Sequence, residues 1–472
     1  MKPLCRILVL VAAVLAAGCS PSIPTARENG ALPAMEPDYA GTLVPANIAP
    51  LNFCINDDAD GYITVLGGSL VLRGREVRIP PARWRELLAA NRGGAVSVAV
   101  YEKHGRKWTA AEPFNIYVDD SEIDRYLTYR LIEPTYAMAG SMGIYQRDLT
   151  TFKERELYNN TLDRGRSAGQ CINCHSFQNY RTDNFQFHVR QKDGGTIIVR
   201  DGGMKKVNLK RNGLLSAGVY PSWHPTEPLV AYSVNDTKQL FPVGAHQKTE
   251  VFDSASDLVL YDVDADSLTV VSARQNLLET FPYWSPDGRT LYYSAAVADS
   301  SDSIESFRYD IYRMAFDPAT RSFGPAELVV DAASRGGSAL FPRVAPSGKH
   351  LLYTLTASGT FPIWHEDADL YLMDLATGES FPLAGANSQD TESYHSWSSS
   401  GQWIVFSSRR DDGLYTRFYF ARVEEDGTSS KPFILPQEDP LSSRRLFKSF
   451  NIPEFTVNEV EFGPKAFLRA VK

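Results

Sequence analysis

The chain has 472 residues, of which 43% are apolar and 22% charged, and its net charge is −8. This length is enough for two or three domains with large apolar cores. An acidic balance without long basic runs argues against nucleic acid as a partner.

Residues 1–19 are typical of a bacterial lipoprotein signal peptide. Lys2 and Arg6 precede the aliphatic run Ile7–Ala16, which is too short to span a bilayer. The segment Leu15–Cys19 resembles a lipobox, in which Cys19 is lipidated and becomes the mature N-terminus; the alternative is an ordinary signal peptide with an incidental cysteine. We therefore expect an extracytoplasmic protein that is lipid-anchored to a bacterial membrane, with the periplasmic side and the outer membrane favoured.

Residues 20–37 are predicted to form a flexible tether, because they begin with Ser-Pro-Ser-Ile-Pro and contain Asn29-Gly30 and Pro33. Residues 38–125 are predicted to form a small β-rich domain. Short apolar and polar alternations indicate strands at 62–65, 69–72, 95–101 and 114–118, and apolar spacings of three to four indicate a short helix from Pro81 to Leu88. Cys54 lies in an apolar run and is interpreted as a small core residue.

Residues 126–180 contain the most informative motif of the chain, Cys171-Ile172-Asn173-Cys174-His175. This spacing lets two thioethers hold a c-type haem while His175 binds the iron as the proximal ligand. The alternatives are a zinc half-site, for which the chain has no second Cys-x-x-Cys, and a bare dithiol. Upstream, a capping box of Thr151 and Glu154 predicts a helix.

The sixth iron ligand would decide the haem chemistry, since a strong ligand favours an electron carrier and an open position favours a sensor or a catalyst. His188 is the leading candidate, because it follows a turn thirteen residues after His175. Met138, Met142 and Met204 are the alternative distal ligands, and another residue, water or an empty position remains open. If these residues do not bind iron, His188 would be a hydrogen-bonded histidine at a strand edge, and the three methionines would pack in the core.

Residues 181–472 are organised around an internal repeat. An aromatic residue followed by proline or histidine recurs at Tyr220, Phe281, Phe341 and Tyr394, with spacings of 61, 60 and 53 residues. Each copy continues through a turn and a buried strand, and the first three into a further strand that begins with aspartate, at Asp257, Asp310 and Asp369. This pattern predicts a mainly β fold made of four-stranded propeller blades.

These repeats resemble the WD-like repeats of TolB-type β-propellers. Together with the lipobox and the Cys-x-x-Cys-His motif, the chain looks like TolB-like bacterial lipoproteins that carry a single haem. The resemblance implies a five- or six-bladed propeller and one covalent haem, but no substrate. Overlaid on the repeat, the haem motif takes the place of the first anchor, and Phe450–Phe455 would close the ring or contribute to a sixth blade.

The sequence predicts a membrane-tethered monohaem cytochrome that transfers electrons to or from a redox partner protein, with the propeller as docking platform. The alternatives are a haem-based sensor, a TolB-like protein-interaction module, and a propeller oxidoreductase with the haem as electron inlet. No catalytic residue is assigned, because hydrolase and phosphate-loop motifs are absent from the sequence. His224 and His395 are interpreted as parts of the blade architecture, and the stretch Arg409–Asp412 with Arg417 as a solvated, self-paired loop rather than a lining of the channel mouth.

Overall fold

The computed structural model describes residues 23–133, 140–162, 169–211, 213–241, 249–274, 276–298 and 307–472. Across these residues the chain is mainly β, as the repeat predicted. No helix in this part of the chain is long and apolar enough to cross a membrane. The signal peptide, Cys19 and Met138 lie outside the described residues, so the predictions made for them stay predictions.

The N-terminal part, up to residue 118, forms two sheets and one helix. The elements are β1 (Arg27–Glu28), β2 (Met35–Glu36), β3 (Leu43–Val44), β4 (Phe53–Ile55), β5 (Gly61–Leu66), β6 (Leu70–Arg73), β7 (Glu76–Val77), α1 (Pro81–Ala90), β8 (Gly94–His104), β9 (Lys107–Ala110) and β10 (Phe114–Val118). One sheet has the path β1-β9-β8-β10-β3 with β5 and β6 attached, and the other has the order β2-β4-β7. Helix α1 buries Trp84 and Leu88, and the predicted strands and helix are confirmed.

The rest of the chain is built from antiparallel groups of four strands. Groups 1 to 5 follow one another along the chain, and a single parallel bridge joins groups 2 and 3 into one larger sheet. Group 1 is β14 (Cys171–Gln178), β15 (Arg181–Arg190), β16 (Gly195–Arg200) and β17 (Gly203–Val207). Group 2 is β18 (Val219–Trp223), β19 (Leu229–Leu240), β20 (Glu250–Asp262) and β21 (Ser267–Ser272). Group 3 is β22 (Leu277–Trp284), β23 (Thr290–Val297), β24 (Asp310–Asp317) and β25 (Ser322–Val330).

Groups 4 and 5 repeat the same order of strands. Group 4 is β26 (Ser338–Val344), β27 (His350–Thr356), β28 (Asp369–Asp374) and β29 (Ser380–Pro382), with 3-10 turns at Ala333–Arg335 and Pro362–Trp364. Group 5 is β30 (Glu392–Trp397), β31 (Trp403–Ser408), β32 (Arg417–Arg422) and β33 (Phe433–Ile434). Two helices, α2 (Ser442–Arg445) and α3 (Pro464–Val471), lie near the C-terminus.

Group 6 combines the two ends of this region. β34 (Ser449–Thr456) pairs with β11 (Tyr126–Ile132), which continues through β12 (Met142–Asp148) to β13 (Glu154–Asn159). The first strand of each of groups 1 to 5 contacts the first strand of the next group, and β34 contacts both β30 and β14. The inner strands therefore form a propeller-like ring in which the C-terminal segment fills the gap, as the sequence predicted.

The helix predicted after Thr151 is wrong, because this segment forms strand β13. The Thr151 hydroxyl accepts the amide of Lys153 in a local turn, at 3.1 Å, and the Glu154 carboxylate accepts the Tyr129 hydroxyl instead of capping a helix. Pairing with β12 buries Leu157 and Tyr158. Burial against a neighbouring strand outweighs the weak local signal of the capping box.

The N-terminal sheets are firmly packed against the ring. One apolar cluster extends from the N-terminal core into groups 4, 5 and 6. Polar contacts support it: the Trp403 indole donates to the Ser121 hydroxyl at 3.0 Å, and Arg422 Nε lies 2.8 Å from Asp119 Oδ2. A continuous apolar interface favours a fixed arrangement of the two parts.

Candidate functional site

Each inner strand of the ring carries a β-bulge at the same point. One residue there has a positive φ, and the pairing register with the second strand shifts beside it. Positive φ is uncommon for residues other than glycine, so its sixfold recurrence marks a feature built into the repeat. The bulge residues are Cys174, Tyr220, Phe281, Phe341, Tyr394 and Ile452, with φ between 43° and 55°.

The bulge side chains meet at the centre of the ring. The rings of Tyr220 and Phe281 have centroids 4.4 Å apart, Phe281 and Phe341 are also 4.4 Å apart, and Phe341 and Tyr394 are 4.5 Å apart. These side chains belong to an apolar cluster that continues on one side into Phe307, Ile363 and Trp364. The aromatic layer therefore closes the channel from that side.

On the other side of the aromatic layer, the channel opens into a cavity of about 1190 Å³, which includes the space open to solvent at its mouth. It is a blind cavity, with the bulge residues as its floor. Its walls come from the residues that follow each bulge and are rich in aromatic side chains, namely Phe177, Tyr180, Trp223, Tyr283, Trp284, Trp397 and Phe455. His175, Arg343 and Glu454 are the ionisable groups other than tyrosine and cysteine among its lining residues.

His175 is almost fully buried at the edge of this cavity. Neither ring nitrogen makes a hydrogen bond of acceptable geometry with a described residue, although the backbones of Thr128 and Ile452 lie beside the ring. Burial lowers the pKa of His175 to about 3, and the nearby Arg130 guanidinium acts in the same direction. The imidazole is therefore neutral at pH 7.

Glu454 faces His175 from the last inner strand, with Oε2 3.9 Å from His175 Nε2. Its Oε1 accepts the backbone amide of Phe177 at 2.8 Å. Burial raises the pKa of Glu454 to about 8, although the Phe177 amide and the Arg343 guanidinium oppose this rise. Glu454 is consequently protonated at neutral pH.

Arg343 projects into the same cavity from β26. Its guanidinium carbon lies 4.7 Å from the centroid of the Tyr283 ring, a cation–π contact, and Nη1 donates to the Pro342 carbonyl at 2.9 Å. Burial lowers the pKa of Arg343 from its usual value, but an arginine whose normal pKa exceeds about 12 stays charged at pH 7.

Only two of the three Cys-x-x-Cys-His residues line this cavity, whereas a haem held by two thioethers needs both thiols and the imidazole at one site. Cys174 and His175 line the cavity, whereas Cys171 does not. Cys171 packs against an apolar cluster shared by group 1, group 6 and helix α3, and its sulfur accepts a hydrogen bond from Asn173 Nδ2 at 2.8 Å. Cys174 takes the bulge position that aromatic residues hold in four other groups, and burial raises the pKa of its thiol.

None of the described candidate distal ligands lines the cavity beside His175. His188 lies in β15, its Nδ1 is 2.9 Å from the Thr196 hydroxyl, and it lines a separate cavity. The sulfur of Met142 accepts the Ile172 amide at 3.1 Å. Met204 lies in the outermost strand of group 1, opposite Val199. His188 therefore makes a hydrogen bond, and Met142 and Met204 pack within the sheets, as expected of residues without a haem role. Their role as iron ligands stays a prediction.

His224 and His395 make contacts of the kind expected for blade architecture. His224 Nε2 is 2.9 Å from the Gly288 carbonyl in the neighbouring group, and its Nδ1 accepts the Glu227 amide at 3.0 Å. His395 Nε2 is 3.2 Å from the Leu352 carbonyl, and burial lowers the pKa of this imidazole to about 3. Cys54 is buried in β4, as predicted.

The prediction of a solvated, self-paired loop at Arg409–Asp412 is wrong for the two arginines, whereas Asp411 and Asp412 are exposed. Arg409 is fully buried and its Nη2 is 3.0 Å from Asp390, while Arg410 pairs with buried Glu392 at 2.9 Å. Arg417 is also buried and donates to four backbone carbonyls, those of Thr416, Ser443, Leu446 and Lys448. These arginines hold neighbouring segments together, and they do not line the cavity.

Sequence reasoning missed Arg343 and Glu454 as site residues. The signal was present in the repeat, because both follow the bulge residue by two positions. In the other four inner strands, the residue two positions after the bulge is Ser176, Ser222, Tyr283 or Ser396. A charged side chain at this position therefore departs from the repeat. Glu454 was hidden further because its strand is the least similar copy of the repeat.

No protein-family model matches this sequence, and no curated protein shows significant sequence similarity to it. Among solved structures, the chain is similar to a putative TolB from Agrobacterium tumefaciens, at 14% identity and a TM-score of 0.41 over 66% of this chain and 88% of that one. A nidogen/laminin complex gives 8% identity and a TM-score of 0.40 over 65% and 93%. An oligogalacturonate lyase in complex with manganese gives 13% identity and a TM-score of 0.31 over 71% of this chain and 84% of that one. Likenesses this low establish neither a shared activity nor a shared ligand.

Proposed function

We propose that this chain is a TolB-like protein-interaction module whose partner docks at the mouth of the blind cavity. The observation that carries this proposal is the composition of the cavity behind this mouth, where tryptophan, tyrosine and arginine line an otherwise apolar recess. These residue types dominate the binding energy of protein interfaces when they line well-packed pockets. The six groups would be the blades of a six-bladed propeller closed by β34.

The location of the protein is part of the same proposal. A lipid on Cys19 would hold the propeller at the extracytoplasmic surface of a bacterial membrane, with the outer membrane favoured. The tether predicted over residues 20–37 is too long, because β1 and β2 lie within this range and pair with β9 and β4. β1 begins at Arg27, so a short segment separates Cys19 from the N-terminal sheet. A Cys19→Ser variant should be released from membranes that retain the parent protein, and equal retention of both would contradict lipid anchoring.

Site-specific photo-crosslinking in living cells tests the docking function. A photoreactive amino acid is placed at Asn179 or Pro286, which are exposed at the mouth, and at the control positions Val270 and Leu328, which are exposed on outer strands. We expect a discrete protein adduct from the mouth positions and none from the outer strands. Adducts from the outer strands alone, or from no position, would contradict the proposal.

Electron transfer by a single covalent haem is the second candidate function. It is supported by the motif and by His175, whose ring nitrogens lack a well-formed hydrogen bond to any described residue. It is opposed by the position of Cys171 outside the cavity. A pyridine haemochrome assay on protein exported by a host that matures c-type haem distinguishes the two functions. If the parent protein carries a covalent haem and the Cys171→Ala and Cys174→Ala variants do not, the cytochrome function would be supported and the interaction module would be given up.

A further inference from the structure

The cavity contains one cation without a partner of opposite charge. Among the described residues, no carboxylate oxygen lies within 4.0 Å of the Arg343 guanidinium. Nη1 has its hydrogen bond to the Pro342 carbonyl, while Nε and Nη2 donate to no described residue. Tyr283 offers only the face of its ring. A partly buried guanidinium with free donors can accept an anion at little further desolvation cost.

The other ionisable groups of the lining do not pair with this charge. Glu454 accepts the Phe177 amide with Oε1 at 2.8 Å and faces His175 Nε2 with Oε2 at 3.9 Å, and neither of its oxygens lies within 4.0 Å of the Arg343 guanidinium. The remaining lining residues are apolar, aromatic, hydroxyl or amide side chains with one buried thiol. The cavity therefore offers an unpaired guanidinium inside aromatic walls. An anion with one negative charge would balance it, whereas a phosphate dianion would leave an excess charge in a poorly solvated place.

We propose that the cavity is a binding site for a carboxylate joined to an aromatic or aliphatic group. The planar fork of Arg343 matches the two oxygens of a carboxylate. The walls formed by Trp284, Trp397 and Phe455 would cover the apolar part of the ligand. This proposal rests on the proposed docking function, since a partner segment that carries the carboxylate would enter through the same mouth.

The carboxylate could come from a chain terminus or small acid, or from an aspartate side chain within a segment, and the test separates these sources. N-acetyl-phenylalanine and its amide differ only in the terminal carboxylate. N-acetyl-aspartyl-phenylalaninamide and its asparaginyl counterpart differ only in a side-chain carboxylate. Binding is followed by intrinsic fluorescence, because Trp223, Trp284 and Trp397 line the cavity, and by titration calorimetry on the processed full chain.

We expect at least one acid to bind roughly tenfold or more tightly than its amide, the ratio typical of a hydrogen bond to a charged partner. Arg343→Gln should abolish this preference, and Arg343→Lys should retain part of it, because lysine keeps the charge but loses the fork. Arg335→Gln is the matched control, since Arg335 is exposed and outside the cavity. The lysine variant still gives a result if the glutamine variant does not fold.

Equal binding of acid and amide, an unchanged ratio in both folded Arg343 variants, or no binding of any acid at millimolar concentration would overturn the carboxylate site. Failure of this proposal is distinguishable from failure of the docking function. If Arg343→Gln leaves the crosslinks at Asn179 intact, docking stands without a carboxylate contact. If acids bind but no mouth crosslinks form, the carboxylate site stands and the docking function fails.

Discussion

His175 in the first inner strand and Glu454 in the last one lie side by side, with Nε2 and Oε2 3.9 Å apart. The contact spans the join between the two ends of the ring, where β14 meets β34. Both groups are neutral at pH 7, because burial moves the pKa of the imidazole down to about 3 and that of the carboxyl up to about 8. The join is thus closed by uncharged polar groups, and its stability should depend on pH.

Replacing Glu454 by glutamine should stabilise the protein at neutral and mildly alkaline pH. The pKa of this carboxyl has its ordinary value of 4.5 in the unfolded chain and is about 8 in the folded chain. Between these values the folded state binds more protons, so the free energy of unfolding falls as pH rises, by up to about 1.4 kcal/mol per pH unit. Glutamine removes this slope.

Urea denaturation at pH 4.5, 6 and 7.5 measures the effect. The difference between Glu454→Gln and the parent protein should be smallest at pH 4.5 and largest at pH 7.5. Glu425→Gln serves as the control, because Glu425 is exposed and outside the cavity. Parallel pH profiles for Glu454→Gln and the parent protein would show that the carboxyl is not held protonated.

His188→Gln should reduce the loss of stability in acid. Burial lowers the pKa of His188 to about 3, with a contribution from Arg190, so the unfolded state binds the extra proton between pH 3 and about 6.5. The free energy of unfolding therefore falls as pH drops below 6.5. Glutamine does not titrate and can still hydrogen-bond to Thr196.

The same denaturation experiment at pH 6.5 and 4.5 tests this expectation. His104→Gln is the matched control, because the His104 side chain is 49% exposed. An acid profile of His188→Gln that coincides with that of the parent protein would contradict a buried neutral imidazole at this position.

Trp403→Ala should destabilise the whole molecule rather than one part. The indole is fully buried, belongs to the apolar cluster shared by the N-terminal sheets and the ring, and donates to Ser121. Removing a buried tryptophan costs about 3–5 kcal/mol. Calorimetry should show one transition in the parent protein and one transition at lower temperature in the variant. Two separated transitions in the parent protein would mean that the shared cluster does not couple the two parts. Trp108→Ala is the control for the loss of an indole, because Trp108 is partly exposed.

The repeat made much of the ring predictable from the sequence. Aromatic anchors at Tyr220, Phe281 and Phe341, with spacings close to 60 residues, predicted the order of strands, because each copy of the repeat forms one antiparallel group with its own inner strand. Strand alternation likewise predicted β8 and β10. Local pattern failed at Thr151, where pairing with a strand distant in space decided the conformation.

The site was harder to predict because its residues come from all six inner strands. Cys174 and His175 drew attention as a covalent motif, while the repeat also explains them as a bulge residue and its neighbour. Arg343 and Glu454 are 111 residues apart in the chain, and only ring closure brings them into one cavity. The pKa of Glu454 depends on this burial and has no signature in the sequence.

The most direct test is a crystal structure of the processed chain, purified from a host that matures c-type haem and soaked with N-acetyl-phenylalanine. Our account predicts density for the ligand in the blind cavity, with its carboxylate against Arg343 and its ring on the aromatic walls. A cavity filled by haem bonded to Cys174, or a ligand bound elsewhere with the cavity empty, would contradict it.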